Sequence, residues 1–413
     1  MSSATATADI SSPRLRRLVR ELRSSGRTAL ARFWREVAES GAPLVEPAPG
    51  FPGERVVTVL WREDRPVSGV YVRANRLTDQ HNANRGMLRS LDGTDVWFVS
   101  LRLPADLRCS YQLYPFEPGD PVPSRLGTGP SRAEGLTDPL NRSTSGRFGS
   151  LIELDGAPSL ADWYADEAPG RTDAFGFTTS AGQTYRVRRF IPDATGELGL
   201  LVVLDGEKWF DRYGIAAAVA AGAAAGRFPP TAVVGIEAGP PGERMQQLGA
   251  NPRFVDALAD ELVPAVAREL PGWAGSRRTV LCGQSLGGLT ALVAALRRPA
   301  TFGSVLAHSA SVWWRPGMTA RPPSLPEGDT WLFEQFAAAP VGNLGIRIDV
   351  GSNEGAMLLH LRKLHALLRE RGFNASLRVY SGGHDHCCWA AALTEGLTEM
   401  HTNPRYPRKD GTT

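Results

Sequence analysis

The chain of 413 residues is poor in cysteine, in long apolar runs and in unbalanced charge. Its four cysteines, Cys109, Cys282, Cys387 and Cys388, are too few for a disulfide framework at this length, and no C-x-x-C pair offers metal-ligand spacing. A reducing compartment fits that usage. The most apolar stretch, 215–225, is short, alanine-rich and bounded by Arg212 and Arg227. A membrane span needs roughly 20 apolar residues, so a soluble protein is expected. The start, MSSATATADISSPRLRRLVRELRSS, has basic residues without an apolar stretch after them. It lacks the core of a secretory signal, and a cytoplasmic protein is expected. Lys and Arg number 46 against 43 Asp and Glu, and the basic residues are overwhelmingly arginine scattered among acids. Without a basic run, neither nucleic acid nor a membrane surface is an expected partner.

What remains is the material of a folded protein. Apolar residues make up 42% and charged residues 22%, enough for a buried core. The length suggests two domains. A disordered tail is expected over 1–12, then a helix over 13–38 with Leu15, Leu18, Leu22, Leu30, Phe33, Trp34 and Val37 at helical spacing. From 55 to 114 the runs VVTVLW, SGVYVRA, VWFVSLRL and CSYQLY, separated by Gly, Pro and Asp, predict a small antiparallel β-sandwich. Residues 115–149 are dense in Pro, Gly, Ser and Asp and read as a linker or a long functional loop. The N-terminal domain is thus placed at 13–150, a catalytic domain at 151–403 and a tail at 404–413. In the second part the apolar strands LGLLVVLD, TAVVGIEA, RRTVLCG, FGSVLAHS, IRIDVG and ASLRVYS alternate with helices near 212–226, 252–269, 286–298, 355–372 and 387–400. Near-continuous apolar strands separated by helices predict an α/β fold, a mostly parallel sheet covered on both faces. Asn251 before Pro252 is a clean helix start.

Within VLCGQSLGGLTALVAAL, Gly283-Gln284-Ser285-Leu286-Gly287 forms G-x-S-x-G between a strand and a helix. In that context the pattern is a nucleophile elbow, whose flanking glycines permit a bend too sharp for a Cβ while the serine projects. Ser285 is the candidate nucleophile, and the Leu286 amide at the head of the next helix faces the place where an oxyanion would form. A serine hydroxyl needs a base that a third group orients, and in α/β hydrolases the order is Ser, Asp/Glu, His. His384 in SGGHD follows the strand ASLRVYS; His308 and His386 are its rivals. His81 and His401 fall in loop or tail, and His360 and His365 within a helix. IRIDVGSNEG offers Glu354 in the loop after a strand and Asp349 inside it, with Asp385 a further alternative. A second oxyanion donor is expected from Asp205-Gly206-Glu207, with Gly206 favoured beside Glu207.

The segments VLDGEKW, GQSLGGLTAL, SVWW and GGHDHCCW, preceded by FWREVAESGAPLVEP, VTVLWR, LDGTDVWF, SYQLYP and DPLNR, resemble the enterochelin (ferric enterobactin) esterases in order and spacing over nearly the whole chain. The resemblance implies an Ig-like N-terminal accessory domain ahead of an esterase-D-like α/β hydrolase. It implies hydrolysis of the ester bonds of a catecholate trilactone siderophore, releasing iron in the cytoplasm. No protein-bound cofactor or metal is implied; iron enters as part of the substrate. Ser285, His384 and Glu354 match the family's catalytic positions, and Arg244 in GERMQQL matches a family arginine, although Gln247 stands where the family has Glu. A ferric tris-catecholate is a bulky trianion with flat aromatic faces, so cations and aromatic platforms are expected around it. Lys208, Arg244, Trp209, Trp314 and Trp389 are the candidates, with Trp313 and Arg315 nearby. Arg142 and Trp97 are candidates for a domain interface. Two other readings are a general acyl or feruloyl-type carboxylesterase and a siderophore-binding protein without catalysis.

Overall fold

The computed structural model describes residues 10–79, 85–119, 135–142, 146–322, 325, 328 and 330–402. The expected tails over 1–9 and 404–413, His81 and much of the 115–149 segment lie outside the described residues. The chain forms two compact units: one comprises Met1–Pro158 together with Ser381–Cys387, the other Ser159–Tyr380 and Cys388–Thr413. The division thus falls after Pro158 rather than at 150, because a short strand over Ser150–Glu153 completes the first unit's sheet.

The first unit opens with α1 (Pro13–Ser40), bent at Gly26, whose φ is 46°. Its start corrects the expected tail. Ile10 is buried, and the buried Ser12 caps the helix by accepting from Leu15 N at 3.2 Å while its hydroxyl donates to Glu46 at 2.5 Å. Leu15, Leu18, Phe33, Trp34 and Val37, the residues at helical spacing, are the buried stripe. Seven strands follow: β1 (Leu44–Pro47), β2 (Glu54–Arg62), β3 (Gly69–Ala74), β4 (Met87–Ser90), β5 (Val96–Pro104), β6 (Arg108–Phe116) and β7 (Ser150–Glu153). Every pairing is antiparallel, in the order β1-β2-β5-β4-β3-β6-β7. Instead of two separate sheets there is one, because β4 pairs with β5 through Arg89 and Ser90 and with β3 through Met87 and Leu88. The sheet encloses a core of Val57, Val59, Val72, Leu103, Tyr111 and Leu113.

The segment read as a linker contains a buried tie. Asp138 accepts from the Tyr111 hydroxyl at 2.5 Å, and Asn141 donates to that same hydroxyl at 3.0 Å and to Leu151 O at 2.8 Å. The DPLNR motif therefore fastens β6 to β7. Arg142 reaches Ala38 O at the end of α1, and Trp97 donates to Glu63 at 2.8 Å, so both serve inside the first unit.

The second unit is an eight-stranded sheet in the order β15-β14-β13-β12-β10-β11-β9-β8. Its strands are β8 (Gly170–Thr178), β9 (Thr184–Pro192), β10 (Gly199–Leu204), β11 (Thr231–Ile236), β12 (Thr279–Gln284), β13 (Ser304–His308), β14 (Gly345–Gly351) and β15 (Asn374–Tyr380). β10 to β15 pair in parallel, whereas β8 and β9 form an antiparallel hairpin on one edge. β10 to β14 are buried at every position, as strands covered on both faces must be, which is why they read as largely apolar runs, with the buried Arg347 and Asp349 of β14 the exception. The helices are α2 (Ile215–Ala224), α3 (Pro241–Leu248), α4 (Pro252–Ala257), α5 (Val263–Ala267), α6 (Leu286–Arg297), α7 (Trp331–Ala338), α8 (Ala356–Glu370) and α9 (His386–Thr402). Asn251 caps α4 through Arg253 N and Phe254 N, as its sequence position predicts. α3 and α7 were not legible as helices; each has only eight residues, too few for a periodic pattern. Among the described residues no helix is long and apolar enough to cross a membrane, and none of the four cysteines is in a disulfide.

A parallel sheet gathers the carboxyl ends of its strands on one edge, where α/β enzymes place their chemistry. Here that edge carries Asp205 after β10, Ser285 after β12, Ser309 after β13, Glu354 in the loop after β14 and Tyr380 at the end of β15.

Candidate active site

Ser285 stands between β12 and α6 with φ 58° and ψ −115°, a conformation that a side-chain-bearing residue adopts only under constraint. The constraint is visible. Ser285 N donates to His308 O at 2.9 Å, while Ser285 O accepts from Ser311 N at 2.9 Å and Leu289 N at 3.1 Å. The end of β13 thus holds the serine from both sides. Gly283 must be glycine, since a Cβ there would lie 2.1 Å from Gly287 O. Gly287 is less demanding than the motif suggests, its nearest neighbour being Leu204 Cβ at 3.4 Å. Gly288 is tighter, with Ala310 Cα and His308 O at 3.0 Å, because that face of α6 packs on the chain leaving β13. The Ser285 hydroxyl lies 3.2 Å from that of Ser311. Leu286 N heads α6, among the first-turn amides that have no acceptor within a helix and sit at its positive end.

Glu354 is 7% exposed. Its Oε1 accepts from Gly351 N at 2.8 Å and from the Ser309 hydroxyl at 2.6 Å, with the Tyr380 hydroxyl at 3.4 Å. Burial first, and then the Glu354 charge, push the Tyr380 phenol well above its usual range, so it stays protonated. Asp349 is committed elsewhere: fully buried, it accepts from Arg347 Nε at 3.0 Å and Nη2 at 2.8 Å. Asp385 likewise accepts on one oxygen from both the amide and the hydroxyl of Ser110, at 2.7 Å each.

His384 belongs to the segment Ser381–Cys387 that clusters with the first unit. Arg108 N donates to Ser381 O at 3.1 Å and Asn75 Nδ2 to His384 O at 3.0 Å, so the segment is fastened to the end of β3 and to β6. Gly383 is required by close approach, because a Cβ would lie 2.6 Å from Arg76 Cγ. His386 is the first residue of α9. Ser285 and Glu354 are parts of the second unit.

After β10, Asp205 has φ 57° and Gly206 lies so close to β11 that a Cβ would be 2.4 Å from Gly235 C. Here the expected substrate cations find an internal partner. Arg244, on α3, grips Asp205 with Nε at 2.5 Å and Nη2 at 2.7 Å, and Lys208 Nζ is 3.1 Å from the same carboxylate. Burial alone would raise the Asp205 carboxyl, but the Arg244 and Lys208 charges outweigh it and hold it below the ordinary range. The Glu207 carboxylate also acts on Arg244, so two cations and two carboxylates surround the Gly206 turn.

The tryptophans depart from expectation. Trp209 has no exposed surface; it packs against Trp163 and Tyr213 with centroids 5.4 and 5.5 Å away and donates to Gln284 at 3.0 Å. It is a core residue bracing the strand that leads to Ser285, rather than a platform for a ligand. Trp314 is 1% exposed beneath Gly249, and Trp389 is 4% exposed and donates to the Ser309 hydroxyl at 2.9 Å. Gln247 lines an open cavity of about 340 Å³ with Tyr185, Glu243 and Gln246, and donates to Glu237 O at 3.3 Å. Ser309, Ser311 and Tyr380 were missed from sequence. The strand-end rule that singles out Glu354 applies equally to Ser309 in AHSAS and to Tyr380 in RVYSG.

His308, beneath the elbow, gives a pH prediction. Burial pushes its imidazole down to about 4 from 6.5, against the pull of Asp349. The folded protein therefore holds it neutral, while the unfolded chain takes up a proton near pH 6.5. Its contribution to stability is complete above that value and is lost as pH falls toward about 4, since the unfolded state binds more protons in between. Denaturant titrations at pH 7 and at about 4.5 are expected to show wild type losing more stability than His308→Gln; equal losses refute the assignment.

Comparison with known proteins places this geometry in a family. An esterase family model matches residues 178–400, and a model named enterochelin esterase, N-terminal, matches 56–163. The iron(III) salmochelin esterase of Escherichia coli O6:H1 is 40% identical over 380 residues, 89% of this chain and 93% of that protein. The iron(III) enterobactin esterase of Dickeya dadantii is 32% identical, with 93% of this chain and 96% of that protein covered. The enterobactin esterase from Shigella flexneri, crystallised in the presence of 2,3-dihydroxy-N-benzoyl-serine, superposes with a TM-score of 0.72 at 29% identity, covering 89% of this chain and 97% of that one. A strained serine at the head of a helix, in a chain matched along both its parts by such proteins, makes this protein an ester hydrolase of the enterochelin esterase family.

Proposed function

We propose that the enzyme hydrolyses the ester bonds of a catecholate trilactone siderophore such as enterobactin or a close relative, in its ferric form or free of iron, and does so in the cytoplasm. In this reading His384 takes the proton of Ser285 as the hydroxyl attacks a lactone carbonyl, and Glu354 orients the imidazole and stabilises its charge. The oxyanion rests on the amides of Leu286 and Gly206. His384 then protonates the departing serine alcohol of the substrate, and water activated by the same imidazole releases the acyl-enzyme. The reading calls on no cofactor of the protein, and iron is cargo. The first unit is read as the family's Ig-like accessory domain, a reading supported by its wholly antiparallel strands and by the match over residues 56–163.

The observation that carries the reading is the backbone of Ser285, held at φ 58° by two hydrogen bonds to the chain at and just after the end of β13. Strain of about 1–3 kcal/mol persists where function uses it. Incubation with ferric and iron-free enterobactin, followed by mass spectrometry, is expected to give linear trimer, dimer and finally dihydroxybenzoyl-serine. Intact trilactone after prolonged incubation with folded enzyme that cleaves a chromogenic ester would falsify the substrate assignment and leave the esterase standing.

A further inference from the structure

Resting on the reading that Glu354 is the acid of the catalytic set, we propose that Ser309 is a positioning residue for that carboxylate, and that Trp389 sets the direction of its hydroxyl.

The direction follows from donor chemistry. An indole N–H can only donate, and that of Trp389 points at Ser309 Oγ from 2.9 Å. One lone pair of the serine oxygen is thereby occupied, and the serine proton is sent on to Glu354 Oε1 at 2.6 Å. Tyr380, kept protonated, stands 3.2 Å from Ser309 Oγ and 3.4 Å from Glu354 Oε1, where its proton reinforces either member. With the Gly351 amide at 2.8 Å, Oε1 is bound by a backbone donor and a relayed side-chain donor. A carboxylate oxygen accepts about two hydrogen bonds. Filling Oε1 fixes the plane of the carboxylate.

Ser309 is itself held for this task. Its φ is 46°, uncommon for a residue with a Cβ, and its amide donates to Asp349 O at 2.7 Å. Asp349 is locked by Arg347, so the chain beneath the relay is anchored by a buried ion pair. Ser309 is not assigned a contact with substrate; it acts through Glu354.

The test is a double-mutant cycle on a substrate independent of the siderophore assignment, p-nitrophenyl butyrate, using the full chain. Ser309→Ala, which keeps the Cβ and hence the backbone strain, is expected to lower kcat about tenfold, with KM changed less than twofold. Ser309→Cys, a weaker donor, falls between. In a Glu354→Ala background Ser309→Ala is expected to cost nothing further, because its effect passes through that carboxylate. Losses that multiply in the double variant, or a rise in KM at unchanged kcat, overturn the proposal. If Glu354→Ala is strongly impaired but Ser309→Ala keeps wild-type kcat, the relay fails and the acid assignment survives; if Glu354→Ala itself keeps wild-type kcat, the acid assignment fails and the relay with it. Should Ser309→Ala not fold, Trp389→Phe, which retains the ring and loses the N–H, takes its place in the same cycle, judged by the same outcomes.

Discussion

Replacement of Ser285 by alanine is expected to lower kcat by about 10⁴- to 10⁶-fold, on a chromogenic ester and on a trilactone alike. The reason lies in the elbow. One hydroxyl is presented by a bend that Gly283 alone can accommodate, since any Cβ there would strike Gly287 O at 2.1 Å. The neighbouring Ser311 hydroxyl, 3.2 Å away, is carried on ordinary chain and does not head a helix, so it is no substitute. Alanine keeps the Cβ and therefore the strain, and stability should change little. Glycine removes both. Ser285→Gly is expected to be equally inactive yet more stable than wild type by about 1 kcal/mol, measured by denaturant unfolding. A serine kept for structure would lose stability in both variants; a serine held under tension for chemistry gains it on release. Turnover within tenfold of wild type in Ser285→Ala would remove the nucleophile assignment, whatever the stability.

The second large effect concerns the ion pair below the elbow. Arg347 and Asp349 lie on β14, 2% and 0% exposed at their side chains, and Arg347 also reaches Glu399 at 2.6 Å and Glu395 at 3.4 Å on α9. Arg347→Met strands the Asp349 carboxylate in the interior, and the expected loss is about 3–5 kcal/mol. The glutamates on α9 lose a partner too, but at 30% and 36% exposure water replaces it. Replacing both members, Arg347→Met with Asp349→Leu, removes the stranded charge and is expected to restore most of the stability, since well-packed apolar residues often match a buried pair. The double variant also decides between acids. If it folds and turns over esters at near the wild-type rate, Asp349 is not the acid; if it folds and is inactive, Asp349 takes the role given to Glu354.

The parts of the fold that were legible share one property: local pattern suffices to state them. β10 to β13 read as largely apolar runs because each is covered on both faces, and Ser285 was marked by Gly283, whose need is steric and lies within four residues. The single antiparallel sheet of the first unit was not legible. It depends on β4, four residues long, pairing on both edges, and nothing in MLRS announces that. Nothing local to Ser12 sets it apart from a tail, because its partner Glu46 lies 34 residues away.

The candidate site divides in the same way. That a serine, a carboxylate and a histidine occur in hydrolase order, each at or after a strand end, is a property of the sequence, because strand ends and elbows are built from adjacent residues. Which charges and rings are spent internally is decided only by tertiary packing. Arg244 meets Asp205 across 39 residues, Trp209 meets Gln284 across 75, and Trp389 meets Ser309 across 80. A cation or an indole looks the same in the sequence whether it awaits a ligand or satisfies a buried partner. The difference is a hydrogen bond between distant segments, and it comes into being only when the sheet brings their ends together.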